Sequence, residues 1–299
     1  MIHYFVTERQ AVPMRHFLET WGRALAGRVA VVTYEMLLAG RVEVPEQGGA
    51  YIFTNFGNVR AMAPEAQSTI RSLHKRLLEQ NGAARVLNHP DKSLLRYDLL
   101  RMLHERGVNS FNAYRTDGPA DGLRYPCFIR HEREARFDLP VLAQDAQQYG
   151  ALLNGLTWQQ GTRAGFITVE FCKTDSPDGF YRKYGAFVIG DRIVPRHVHV
   201  GRKWFLRTVD LSGPSEMTEE EVYVRTNPHK DILLECARAA GISYGRFDYG
   251  LLEGRPQIWE ININAAFYSY EPTISERLPP LERFAARYAE AMIALDPQG

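Results

Sequence analysis

The chain has 299 residues, and its 36 Lys+Arg against 35 Asp+Glu leave a formal net charge of +1. That length predicts two or three lobes, and the charge balance excludes a protein built on bulk attraction to nucleic acid or anionic membrane while allowing a local basic site. Cys127, Cys172 and Cys236 are scattered and form no CxxC pair, the first residues MIHYFVTERQ lack a basic-then-apolar leader, and no run approaches a membrane span, so the expected setting is cytoplasmic with no membrane partner.

In chain order, apolar runs at Ile2–Val6, 29–34, 51–54 and 84–87 predict strands. Helices are expected at 14–25 and 64–80, the second opened by Pro64 with Ile70, Leu73, Leu77 and Leu78 as its apolar stripe. Strands alternating with helices imply a mostly parallel sheet, so residues 1–87 read as an open α/β lobe. A second unit, 88–165, begins with a helix at 94–106 that Ser93 caps and Gly107 stops. Strands at 110–114 and 126–131 follow, then a helix at 141–153. The third unit, 166–299, is strand-rich. Its strands are expected at 166–172, at 184–189 and 192–200 around a Gly190-Asp191 turn, and at 246–252 and 257–262 around Glu253-Gly254. Helices are expected at 229–240 and 281–294. The fold class is α/β with α+β parts.

The last hairpin carries the most chemistry. On a strand alternate residues share a face, so Glu260, Asn262 and Asn264 project together while Ile261 and Ile263 point oppositely. Asp248 on the partner strand can approach the same surface. Two carboxylates and a carboxamide are hard oxygen ligands suited to Mg²⁺ held together with nucleotide phosphates, although a solvated strand face has the same pattern. His197 and His199 also share a strand face, with no evident third ligand for a transition metal. Phe267-Tyr268-Ser269-Tyr270, directly after the acidic strand, suits either an acceptor pocket or core packing. No Walker A, G-x-S-x-G or H-E-x-x-H motif occurs.

Asp, a hairpin turn, then apolar-apolar-Glu-apolar-Asn resembles the metal-binding signature of the ATP-grasp superfamily. Its carboxylate–amine ligases include glutathione synthetase, D-alanine–D-alanine ligase and the ligase that adds glutamate to a ribosomal protein. The resemblance covers residues 88 to about 270 and implies an ATP-grasp architecture, in which an N-terminal lobe is followed by two α+β subdomains gripping ATP. It makes Asp248, Glu260 and Asn262 the Mg²⁺ ligands. Arg96, or its competitor Lys92, corresponds to the basic residue that reaches the phosphates. Arg130, closing Tyr125-Pro126-Cys127-Phe128-Ile129-Arg130, corresponds to the second phosphate-binding lysine. Glu170, Phe171 and Cys172 resemble the hinge whose backbone binds adenine. Around Gly190-Asp191 the family hairpin carries an arginine where Gly185 stands here, which leaves Arg182 or Lys183 to serve. Arg196 and Arg207 lie where the family places cations on the transferring phosphate.

The implied activity is ATP- and Mg²⁺-dependent ligation of small-molecule or peptide carboxylates to amines, in a family where homodimers are common. Three departures stand out: Ala265 and Ala266 replace the usual proline, arginines replace two lysines, and the loop 131–137, with Arg133 and Arg136, has no glycine. The last two leave open a nucleotide-binding or scaffold module with a degraded site.

Overall fold

A computed structural model describes residues 1–133, 140–206, 213–265, 267 and 278–296. The N-terminal unit contains strands β1 (Ile2–Val6), β2 (Val29–Thr33), β3 (Ala50–Phe53) and β4 (Val86–Leu87). They form a parallel sheet in the order β2-β1-β3-β4. Its helices are α1 (Val12–Glu19), α2 (Tyr34–Leu38), α3 (Phe56–Val59) and α4 (Pro64–Asn81). Every residue of β1 and β3 is buried, because both faces of the sheet are covered. Phe5, Tyr51 and Phe53 pack with Ile70, Leu73 and Leu77 of α4 on one face. Ile2, Tyr4 and Ile52 pack on the other with Met14 and Phe17 of α1.

The middle of the chain supplies α5 (Arg96–Glu105), β5 (Ala113–Arg115), β6 (Cys127–His131), α6 (Ala146–Gln160) and β7 (Phe166–Glu170). The strands form an antiparallel sheet in the order β5-β7-β6, so this sheet draws on both sides of the expected 165/166 division.

The C-terminal unit holds β8 (Tyr181–Ile189), β9 (Arg192–Gly201), α7 (Pro214–Thr226), α8 (Lys230–Ala239), β10 (Tyr244–Leu252), β11 (Arg255–Asn262) and α9 (Leu278–Ile293). Its four strands are antiparallel in the order β11-β10-β8-β9. Glu253 (φ 51°) and Gly254 (φ 77°) are both left-handed, the backbone of a tight I′ hairpin. One sheet face buries Tyr184, Ala186, Val188, Phe247, Tyr249 and Ile261 against α5, α7 and α8. The opposite face divides in two. Phe187, Ile189, Val194 and Tyr244 join the N-terminal lobe and α9 in one core, while the other half is polar and forms the floor described below.

Several elements differ from expectation for tertiary reasons. The helix expected at 14–25 breaks after Glu19, where Thr20 and Gly22 both donate to the Phe17 carbonyl, and resumes as a 3-10 turn at Arg23–Leu25. Ser93 does not cap α5, which starts at Arg96; its hydroxyl donates to the Gly241 carbonyl 2.5 Å away. The helix expected at 141–153 begins only at Ala146, capped by Asp145, because Ala143 is held extended in a bridge to Cys127. Helix α7 lies where no element was expected, opened by Gly213-Pro214 and stopped by left-handed Asn227.

Candidate active site

The polar floor is organised by strand register. Glu260 of β11 pairs with Asp248 of β10, Asp248 with Gly185 of β8, and Gly185 with His197 of β9, so the four lie in one row across the sheet. In the neighbouring rows Asn262 pairs with Arg246 and Lys183 with His199. Ile261 points into the apolar core beneath, as the alternation requires.

Both carboxylates are held by cations. Arg246, two residues before Asp248 on the same strand face, donates from Nε and Nη2 to its two oxygens at 2.8 and 3.0 Å. Lys183 Nζ stands 3.7 Å from Asp248. Glu260 accepts from Arg96, the first residue of α5, and Arg130 Nη2 of β6 lies 3.5 Å away. Arg96 also donates to the carbonyls of His131 and Glu132 at 3.0 and 2.7 Å, yet its buried Nε has no partner among the described residues. The floor thus places four cations around two carboxylates.

Burial makes that excess costly. It opposes ionisation of Asp248, but Arg246 and Lys183 outweigh it and hold the carboxyl down at about 2. Burial takes Arg96 well below its ordinary value, with the like charge of Arg130 adding to it and Asp248 opposing. Arg130 is brought down to about 10 and Lys183 is also lowered, in both cases by burial with Asp248 working against the shift. Burial first, then His199 and nearby cations, keep the His197 imidazole neutral. Each of these cations gains from additional negative charge in the floor.

The two alternatives left open at sequence level have different placements. Lys92 is solvent-exposed, whereas Arg96 is in the floor. Arg182 points away and binds Asp178 and Glu219, whereas Lys183 faces Asp248. Arg196 is the extra residue of a β-bulge, with its guanidinium 4.7 Å over the Phe284 ring. Arg207 and Arg136 lie outside the described residues, as do Tyr268, Ser269 and Tyr270. Phe267 is buried core, stacked on Phe17 and Phe187. Arg133 reaches the N-terminal lobe, donating to the Gly57 carbonyl at 3.1 Å. Asn262 Oδ1 accepts from the Asn264 backbone at 3.0 Å.

At the expected hinge, the Glu170 carboxylate accepts from the Arg124 side chain and backbone and from the Asn112 N–H. Burial works to raise this carboxyl, but those bonds bring it below its ordinary value. The Glu170 and Phe171 N–H groups donate to the carbonyls of Asn112 and Pro126. The Phe171 ring packs on Trp204, and Cys172 Sγ lies 3.3 Å from the Ser110 hydroxyl. Arg246 has no place in the family signature, although its i, i+2 relation to Asp248 is readable from strand alternation.

Among the described residues no three His, Cys, Asp or Glu side chains converge as a metal centre, so His197 and His199 do not build one with Asp248. Two carboxylates and a carboxamide fit Mg²⁺, an ion that keeps water or phosphate oxygens in its remaining positions. The cation excess fits the phosphates that accompany it.

No family model and no curated protein matches the sequence. Solved structures match along nearly the whole chain. The ATP-grasp ligase PsnB, complexed with a phosphomimetic variant of minimal precursor, Mg and ADP, aligns at TM-score 0.58 and 14% identity, covering 99% of this chain and 97% of that one. D-cycloserine synthetase DcsG aligns at 0.55 and 14%, covering 98% and 100%. D-alanine–D-alanine ligase from Bacillus anthracis complexed with ATP aligns at 0.50 and 12%, covering 97% and 98%. The chain has the ATP-grasp fold.

Proposed function

We propose that the protein is an ATP- and Mg²⁺-dependent carboxylate–amine ligase. The observation that carries this reading is the floor itself, where Arg96, Arg130, Lys183 and Arg246 surround Asp248 and Glu260 with an uncompensated positive excess. A triphosphate would supply the missing negative charge, and Asp248 and Glu260, parted from their arginines, would be free to hold a divalent ion. In the proposed reaction a substrate carboxylate oxygen attacks the terminal phosphorus of ATP, the bond to ADP breaks, and an acyl phosphate forms. An amine then attacks the acyl carbon, phosphate departs, and the nitrogen loses its proton to solvent.

No protein nucleophile is required, so the side chains act by position and charge. Asp248, Glu260 and Asn262 would hold Mg²⁺, which when bound neutralises phosphate charge. Arg96 and Arg130 swing from Glu260 to phosphate oxygens, with Arg able to bind them bidentately. Lys183 stays beside Asp248 and meets the phosphoryl group. The adenine lies against the 170–172 edge and its aromatic neighbours Phe171 and Trp204. The units 88–165 and 166–299 hold the nucleotide between them, and 1–87 shapes the acceptor side. Three free cysteines accord with a reducing, cytoplasmic setting, and no helix among the described residues is long and apolar enough to cross a membrane.

The neighbouring PsnB has been seen with precursor peptide PsnA2 and AMPPNP, so the substrate panel includes peptide carboxylates beside free amino acids. The test is ADP release with Mg²⁺ and acid–amine pairs, in wild type and Glu260→Ala. The proposal expects release only with a productive pair, and its loss in the variant. Equal release from both proteins contradicts it.

A further inference from the structure

The row Glu260–Asp248–Gly185–His197 has a gap at Gly185, and the neighbouring imidazole fills it. A Cβ built on Gly185 would lie 2.5 Å from His197 Cε1, 2.6 Å from Nε2 and 3.0 Å from Nδ1, so the ring lies directly over the glycine. It therefore leans from β9 toward β10, bringing its Cε1–Nε2 edge to roughly one strand spacing, about 4.8 Å, from the strand of Asp248. His197 is 5% exposed, its ring is stacked on His199 with centroids 4.0 Å apart, and its Nε2 has no hydrogen-bond partner among the described residues.

A buried polar atom without a partner is expensive, and a stacked ring held over a glycine is not free to seek one elsewhere. The ring sits at the end of the carboxylate row, on the side of Asp248 occupied by Lys183 and opposite the side of Arg96 and Arg130. Arg130 lies on β6, which pairs with β7, the strand that runs into the 170–172 edge. The Lys183 side is thus the far end of the floor from the proposed adenine position, where the terminal phosphoryl group belongs.

We infer that His197 is a further substrate-binding residue, whose Nε2–H donates a hydrogen bond to an oxygen of the terminal phosphoryl group, and that residue 185 is glycine to admit this ring. The inference rests on the ATP reading above. A neutral imidazole supplies one donor here without adding a fifth full charge to an already cationic floor. His199 holds the ring in place by stacking, which makes it a positioning residue.

Affinity for AMPPNP and for ADP, both with Mg²⁺, separates this role from packing. Calorimetry is run on wild type, His197→Ala, His197→Gln and Gly185→Ala. His197→Ala should weaken AMPPNP about tenfold or more and leave ADP within about twofold, the loss of one hydrogen bond to a charged group. Gly185→Ala should do the same without altering the histidine, because its methyl displaces the ring. His197→Gln retains a donor and should recover most of the AMPPNP affinity. If His197→Ala does not fold, Gly185→Ala decides alone. Equal effects on AMPPNP and ADP, or none, in a folded variant overturn the inference and leave the ATP reading intact. Wild type that binds neither nucleotide overturns that reading and the inference with it.

Discussion

Replacing Asp248 by Asn tests the charge logic of the floor, because one substitution should move two affinities in opposite directions. The change keeps the side chain's size and removes one negative charge from Arg246, 2.8 Å away, and Lys183, 3.7 Å away. At that second separation a unit-charge pair is worth about 4 kcal/mol at an effective dielectric near 20. In wild type, phosphates must compete with Asp248 for these cations. In Asp248→Asn they do not, and recovery of a third to a half of the pair energy strengthens metal-free ATP binding by roughly tenfold to thirtyfold. The same substitution removes a ligand charge from the proposed Mg²⁺ set, so most of the affinity that Mg²⁺ adds in wild type should disappear. Calorimetric titrations of ATP with EDTA and with Mg²⁺ read both effects. If metal-free ATP binds the variant no better than wild type, or Mg²⁺ enhances both proteins equally, the reasoning fails.

Three further outcomes follow from the same residues. Asp248 titrates at about 2 rather than its ordinary 3.8, so its ionised form stabilises the fold above about pH 4 and that contribution fades as pH falls through 2. Roughly 2–3 kcal/mol of wild-type stability should therefore be acid-labile and absent from Asp248→Asn, and about two-thirds of it should be lost between pH 6 and pH 2.5, as read by urea unfolding at those two pH values. Glu170→Ala leaves the Asn112 and Arg124 backbone N–H groups without their acceptor, and should cost about 2–4 kcal/mol in urea unfolding; an unchanged midpoint means the clamp is not structural. Arg182→Ala removes the bridge to Glu219 and Asp178 but touches nothing in the floor, so thermal stability should fall while nucleotide affinity stays within about twofold.

Features governed by strand alternation were legible in the sequence. The common face of Glu260 and Asn262, the opposite placement of Ile261, and the turns at Gly190 and Gly254 need only a period of two and the backbone preferences of tight hairpins. The same alternation places Arg246 on the face of Asp248, while its two-point hold on that carboxylate is a matter of side-chain geometry. Choosing Lys183 over Arg182 required the partner of each: Glu219, which holds Arg182, sits on α7, a helix with weak apolar periodicity and no expected counterpart. The start of α6 depended on the Ala143–Cys127 bridge, a pairing that no local window contains. The seating of His197 over Gly185 depended likewise on the register of β8 and β9, including its bulge. The partners of the Glu170 carboxylate, Arg124 and the Asn112 N–H, lie 46 and 58 residues away in the chain, beyond any local window.

Nucleotide binding is proposed to move Arg96 and Arg130 from Glu260 to the bound phosphates, an exchange on which the ligase reading depends. Its most direct test is calorimetric titration of ATP with Mg²⁺ into wild type and into the Arg96→Ala/Arg130→Ala double variant. Saturable one-to-one binding to wild type, weakened about a hundredfold or more in the folded double variant, is the predicted result. No binding to wild type, or equal affinity in both proteins, would contradict it.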